Sequence, residues 1–177
     1  MKGTKAATRY AKALLELAVE NKKTEAISND MRAFSSAYND TKDFQVFLDS
    51  PVINAEKKNE IFNKLFGNFD SLTISFIQLI TKNGREGFLP AIAASFDLQL
   101  KAHLGIVPVT LISAGTLDAA TKTAIVDKVQ ATVNGKLEID EKIDTSLIGG
   151  FVIRMGDNRI DASISNQLNN LKQRLTR

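Results

Sequence analysis

Residue types that perform chemistry are sparse in this chain, and their spacing is poor for catalysis. There is no cysteine, so there is no thiolate nucleophile, no thiolate metal site and no disulfide framework. The one histidine is His103, near the end of a helical pattern. A general base or metal ligand needs partner groups placed around it, and none is identifiable, so His103 reads as a surface or interhelix residue. Asp157 and Asp161 stand four apart, but across a turn and a strand, which does not build an acid/base pair. Asp161 reads instead as a cap for the last helix together with Ser163. Gly149, Gly150 and Gly156 invite a phosphate-loop reading. That motif requires lysine and then serine or threonine after its last glycine, at the opening of a helix; here Asp157 and Asn158 follow. A bulge at Gly149-Gly150 and a turn at Gly156 fit the glycines better. The expectation is a non-catalytic protein without metal or cofactor, whose work is done by surfaces.

The elements that carry those surfaces fall into two textures. The length of 177 residues suits one ordinary domain or two small ones. Apolar residues at helical spacing mark a first helix through Ala7, Tyr10, Ala11, Leu14, Leu17 and Ala18, with Thr4 as its N-cap. A second runs from about Thr24 to Tyr38. A short third carries Phe44, Phe47 and Leu48 and stops at Ser50-Pro51. Asn54 caps a fourth, with Gly67 as its C′ residue. Asp70 opens a fifth, SLTISFIQLITK, apolar on nearly every side and ended by Asn83-Gly84. A sixth spans about Gly87 to Leu104, with Pro90 in its first turn. After Gly105, IVPVTLIS reads as a strand, and Pro108 places it at an edge or Pro108 early within it. Then come a helix from Leu117 to Val133, a half-buried strand around Leu137 to Ile143, a strand LIGGFVIRM, a short strand from Arg159 to Ala162, and a closing helix on Ile164, Leu168, Leu171 and Leu175. The expected fold is α+β: a six-helix bundle over 1–104 and a small mixed α/β domain over 105–177.

Charge does not point to nucleic acid. The net charge is +3 and the pI about 9.1. Residues 1–104 carry 14 basic and 12 acidic side chains, and residues 105–177 carry 9 and 8, so the excess is spread thinly. A nucleic-acid footprint is a concentrated basic patch; Lys172, Arg174 and Arg177 suit complementation of a helix C-terminus. Glu16 and Glu20 interrupt the apolar run a signal peptide needs, and no segment has the roughly 20 apolar residues of a membrane span. The first helix leaves Ala6 and Ala13 as small apolar ground beside its stripe, and the fifth has apolar surface to spare. Two such helices side by side make a groove for an amphipathic helix. The bundle burying that surface itself is the equal alternative.

These residues resemble a family. Arg9-Tyr10-Ala11-Lys12-Ala13-Leu14 resembles the first helix of the δ subunit of F-type ATP synthase, the counterpart of mitochondrial OSCP. Leu48-Asp49-Ser50-Pro51 resembles the loop before its fourth helix, and Asn83-Gly84-Arg85 with Leu89 and Ile92 its fifth-to-sixth helix junction. The most specific stretch is Asp144-Thr145-Ser146-Leu147-Ile148-Gly149-Gly150-Phe151-Val152-Ile153-Arg154-Met155-Gly156-Asp157, followed by Ile160-Asp161-Ala162-Ser163. Ala162 stands where the family usually has glycine, and Asn166, Asn169 and Asn170 where charged residues are usual.

The resemblance implies a peripheral-stalk (stator) subunit in a complex that makes ATP from ADP and phosphate with an ion gradient. Its N-terminal domain would hold the N-terminal segment of the catalytic head's α subunit between the first and fifth helices, through Tyr10, Ala13, Leu14 and Leu17 with Ile74, Ile77 and Gln78. Its C-terminal domain would meet the C-terminal end of the b subunit, with Gly149, Gly150, Gly156, Asp157, Asp161 and Ser163 structural. Membrane association would be indirect and peripheral, at the cytoplasmic face of a bacterial inner membrane, and no nucleic acid would bind. The alternative is a six-helix RNA-binding module of the transcription-antitermination type, which the basic pI favours and the thin charge spread and second domain disfavour.

Overall fold

The computed structural model describes residues 4–116, 118–132, 135–156 and 158–175. Leu117, Val133, Asn134, Asp157 and Arg177 lie outside that set, as do the side chains of Ala120, Asn169, Asn170, Leu171, Arg174 and Leu175. Among the described residues the chain is α+β, with eight α-helices and one four-stranded mixed sheet. It divides into two compact units, 1–100 and 101–177. The division falls inside the last turn of a helix, slightly before the expected boundary at 104.

The first unit contains α1 (Thr4–Glu20), α2 (Thr24–Asp40), α3 (Lys42–Asp49), α4 (Ala55–Leu65), α5 (Ser71–Lys82), a single 3₁₀ turn (Glu86–Phe88) and most of α6 (Leu89–His103). The apolar stripes read from the sequence turn inward: Ala7, Ala11, Leu14 and Ala18 of α1, Ile27, Met31 and Phe34 of α2, and Leu89, Ile92, Phe96 and Leu100 of α6 are buried in one core. Phe34, Phe44, Phe47, Phe62, Phe66 and Phe69 meet edge to face or offset, with ring centroids 4.7–6.4 Å apart, which joins α2, α3 and α4. Lys58 of α4 is also buried. Its Nζ donates to the Leu48 carbonyl at 3.0 Å and to Glu86 Oε1 at 2.6 Å, tying α4 to the end of α3 and to the 3₁₀ turn.

The caps decide where the helices begin and end. Asn54 Oδ1 accepts from Lys57 N at 3.0 Å, and Asp70 Oδ1 accepts from Leu72 N at 2.9 Å. Asp30 Oδ2 reaches from α2 to accept from Asp70 N and Thr73 Oγ1, fixing α5 against α2. At the end of α5, Arg85 N bonds the Ile80 carbonyl and Gly84 N the Thr81 carbonyl, a Schellman pair with Gly84 at φ 64°. The end of α1 closes in the same way, but with Lys22 in the left-handed position at φ 54°. Gly67 differs from its expected role. It is not left-handed; it is needed because a Cβ there would stand 2.8 Å from the Asn63 carbonyl oxygen.

The second unit orders its strands β2 (Lys136–Ile143), β1 (Ile106–Ser113), β3 (Phe151–Met155) and β4 (Asn158–Asp161). β1 and β2 are parallel, so a crossover must join them, and α7 (Ala119–Thr132) is that crossover. β3 and β4 are antiparallel to their neighbours. β1 is therefore central and not an edge strand. Pro108 is tolerated there because β3 pairs only from Thr110 onward. The Gly105 carbonyl accepts from Lys136 N, so odd-numbered residues of β1 turn their backbone groups to β2 and the Pro108 nitrogen faces the unpaired side. Val109, Leu111 and Ile153 of the sheet pack on Ile125 and Val129 of α7, while Ala124 is exposed. α8 (Ile164–Leu175) closes the chain.

Candidate partner-binding site

In α1, Ala6, Tyr10, Ala13 and Leu17 recur at three- and four-residue steps, on the flank beside the buried stripe. The Tyr10 ring meets the Phe76 ring of α5 edge-on, centroids 6.5 Å apart. Its hydroxyl accepts a hydrogen bond from Arg85 Nη1, and the guanidinium carbon lies 5.8 Å from the ring centroid. At the far end Lys23 Nζ, just past α1, pairs with Asp70 Oδ2 at 2.7 Å, at the start of α5. The end of α1 thus lies by the start of α5, and its first half by the end of α5. The two helices run antiparallel.

The residues expected to meet a partner do not share one surface. Leu14 (1% exposed) and Ile77 (2%) are buried in the core of the free chain, where they hold the helices together. Ala13 is exposed, Leu17 is 44% exposed, and Tyr10 is half-buried. On α5 the rotation differs from the expected one. Phe76 marks the flank toward α1, and its neighbours at three and four residues are Leu79 and Leu72. Ile74 and Gln78 are two residues away, about 200° round the helix. Gln78 Nε2 donates to Asn63 Oδ1 at 3.1 Å, which turns it to α4. Leu79, 53% exposed, is the apolar residue of α5 on the flank beside α1. The surface is a strip with exposed Leu17, Leu79 and Ala13 around the Tyr10–Phe76 contact.

In the second unit the glycine-rich stretch is structural. Gly149 and Gly150 precede β3 and form no bulge within it. The Gly149 carbonyl accepts from Ile164 N at 3.0 Å and the Phe151 carbonyl from Ala162 N at 3.0 Å. A Cβ on Gly149 would stand 2.6 Å from Ile164 Cδ1, and one on Gly150 2.5 Å from the Ala162 carbonyl oxygen. Gly156, at φ 55°, turns the chain from β3 to β4. Ser163 is buried, and its Oγ accepts from Asn166 N at 3.3 Å, so it is the serine that caps α8. Asp161 Oδ1 holds that serine, accepting from its Oγ at 2.6 Å and its N at 3.0 Å. His103 is exposed. Among the described residues no cluster of histidine and carboxylate side chains is arranged to hold a metal, and no helix is long and apolar enough to cross a membrane. An open apolar groove of about 490 Å³ lies between α7 and the β3–β4 part of the sheet, lined by Ile125, Val129, Phe151, Ile153, Met155 and Ile160 among others.

The Ser163 hydroxyl and amide, with a smaller contribution from Arg159, hold the Asp161 carboxyl below the usual carboxylate range. The ionised form is therefore favoured by folding. Its contribution is complete above the ordinary carboxylate pKa of about 3.9 and is lost as pH falls through the lower folded value. The expected result is a urea midpoint for the second unit that drops below about pH 4, with Asp161→Asn shallower on the acid side. An equally steep drop in the variant would remove Asp161 as a cause.

The family model for the ATP synthase delta (OSCP) subunit matches residues 6–175. The chain belongs to the ATP synthase delta (OSCP) family. Curated relatives named ATP synthase subunit delta include that of Flavobacterium johnsoniae, 33% identical with 99% of each chain covered, and that of Carboxydothermus hydrogenoformans, 36% identical with 98% of each covered. A chain of the Toxoplasma gondii mitochondrial ATP synthase hexamer shares the fold, with a TM-score of 0.73, 97% of each chain covered and 22% identity. Membership makes this a stalk subunit of an ATP synthase and not a catalytic one, in line with the resemblance read from the four sequence stretches.

Proposed function

We propose that the first unit is a six-helix bundle that holds the N-terminal segment of the catalytic head's α subunit along the α1–α5 strip, and that the second unit receives the C-terminal end of the b subunit. The observation that carries the first contact is the pair of exposed leucines, Leu17 and Leu79, flanking Tyr10 and Phe76 with only Ala6 and Ala13 between. Small residues let a third helix approach closely, and apolar ones reward it. Each buried leucine contributes roughly 1.5–3 kcal/mol, part of which offsets association and ordering costs. The apolar groove between α7 and the sheet supports the second contact by offering an open apolar seat in the other unit. A stator must resist torque, so both contacts must dissociate slowly. The protein would then sit at the cytoplasmic face of a bacterial inner membrane, held there through the complex.

Calorimetric titration of the full chain with a synthetic peptide from the N-terminus of the cognate α subunit tests this reading. One-to-one binding is expected, weakened at least tenfold by Ala13→Asp, because a buried unpaired carboxylate costs more than the ~1.4 kcal/mol of one decade. Ala13 is exposed in the free protein, so the variant should fold. Unchanged affinity in the folded variant would remove α1 from the contact.

A further inference from the structure

The α1–α5 strip is electrically lopsided along its length. At the end where α1 begins and α5 finishes stand Arg9, Lys82 and Arg85, all exposed. Arg85 is held in place twice: its backbone closes the Schellman turn of α5, and its guanidinium is bonded to and set over Tyr10. The neighbouring carboxylate does not neutralise it, because Glu86 is turned away to Lys58. Arg9 and Lys82 make no ion pair among the described residues. At the other end the charges are different. Lys23 is spent on Asp70, and the exposed Glu20, three residues beyond Leu17 on the same flank, offsets the exposed Lys22, so this end carries no cationic excess. The strip runs from Ala6 to Glu20, about 21 Å of helix, and so seats a helix of about 14 residues.

A helix lying in such a field is not free to choose its direction. Its last turn carries carbonyls without intrahelical partners and partial negative charge; its first turn carries unpartnered N–H groups and partial positive charge. We infer that Arg85, positioned by Tyr10, is a specificity-determining residue that sets the direction of the docked segment, with the segment's carboxyl-terminal end at Arg85 and its amino-terminal end at Glu20. The inference rests on the proposed α-subunit contact and adds its polarity. Arg9 and Lys82 reinforce the cationic end. Leu17, Leu79 and Ala13 supply affinity and are indifferent to direction, since an apolar strip fits a helix either way round.

The test uses the full chain, isotopically labelled for amide NMR, and the synthetic peptide from the N-terminus of the cognate α subunit carrying a nitroxide at its C-terminus. The expected result is paramagnetic broadening of the amides of Arg9, Gly84 and Arg85, with those of Asn21 and Lys22 spared. Arg85→Gln should weaken binding about fivefold, the size of a charge acting on a helix end, and the deficit should shrink at high salt. Tyr10→Phe, which keeps the ring and frees the guanidinium, should produce a smaller deficit of the same salt dependence. Broadening at Asn21 and Lys22, or full affinity in a folded Arg85→Gln variant, would overturn the inference while leaving the docking site intact. No binding by the folded wild-type chain would overturn both.

Discussion

Replacing Lys58 with alanine is expected to cost the first unit about 3–5 kcal/mol. The Lys58 side chain is 1% exposed, and that of its partner Glu86 is 16% exposed. Burying two charges is expensive, and their attraction repays it only while both are present. Alanine removes one charge and leaves the part-buried Glu86 carboxylate and the Leu48 carbonyl without their donor. It also leaves a cavity where the buried side chain stood, which adds to the loss. By the same argument a Lys58→Met/Glu86→Met double variant should recover most of the stability, since apolar side chains of similar volume replace such a pair at little cost. The chain has no tryptophan, and its two tyrosines, Tyr10 and Tyr38, both lie in the first unit. Tyrosine fluorescence during urea unfolding therefore follows that unit by itself. A loss under about 1 kcal/mol for Lys58→Ala would mean that the pair is no more than a solvated surface bridge.

The second large effect is expected at Gly150. Its φ of +80° costs an L-residue about 1–2 kcal/mol. A Cβ would also sit 2.5 Å from the Ala162 carbonyl oxygen and 3.0 Å from Ser163 Cα, both backbone atoms that cannot swing aside. Gly150→Ala should therefore separate β3 from the β4–α8 junction, loosening the bonds from Ala162 N to the Phe151 carbonyl and from Ile164 N to the Gly149 carbonyl. Gly84→Ala is the control. Gly84 has a similar φ of +64° but nothing within 4 Å of its Cβ position, so only the backbone strain applies. Amide hydrogen exchange should show lost protection across 151–164 in Gly150→Ala, and only a small loss around its own turn, residues 80–88, in Gly84→Ala. Equal, small effects in both would show that the close approach is not rigid.

Much of the fold was legible because the core stripes of α1, α2 and α6 are narrow. A helix with one apolar face has one way to lie. The caps Asn54 and Asp70 and the stop at Gly84 follow from local chemistry and were equally readable. α5 was not, for a physical reason: apolar on nearly all sides, its sequence does not fix its rotation. The expected partner residues Ile74, Ile77 and Gln78 are consequently turned from the α1 flank, where Leu79 stands instead. Lys58 was invisible because Lys57 and Lys58 read alike, and only the three-dimensional approach of Leu48 and Glu86 makes one of them a core residue. Lys22 in a left-handed position likewise contradicts residue preferences, and surrounding structure overrides them. Pro108 keeps its preference although β1 is central, because it stands early in the strand where β3 does not yet pair. Gly149 and Gly150 announced a special backbone, but not that a helix start presses on it.

The central claim is that this chain grips the catalytic head through the α1–α5 strip. The most direct measurement is sedimentation of an isolated cognate catalytic head, depleted of this subunit, with the full-length chain added. One chain per head is expected for the wild type, and loss of co-sedimentation for Ala13→Asp, which keeps its helical spectrum. A folded Ala13→Asp chain that co-sediments as fully as the wild type would contradict it.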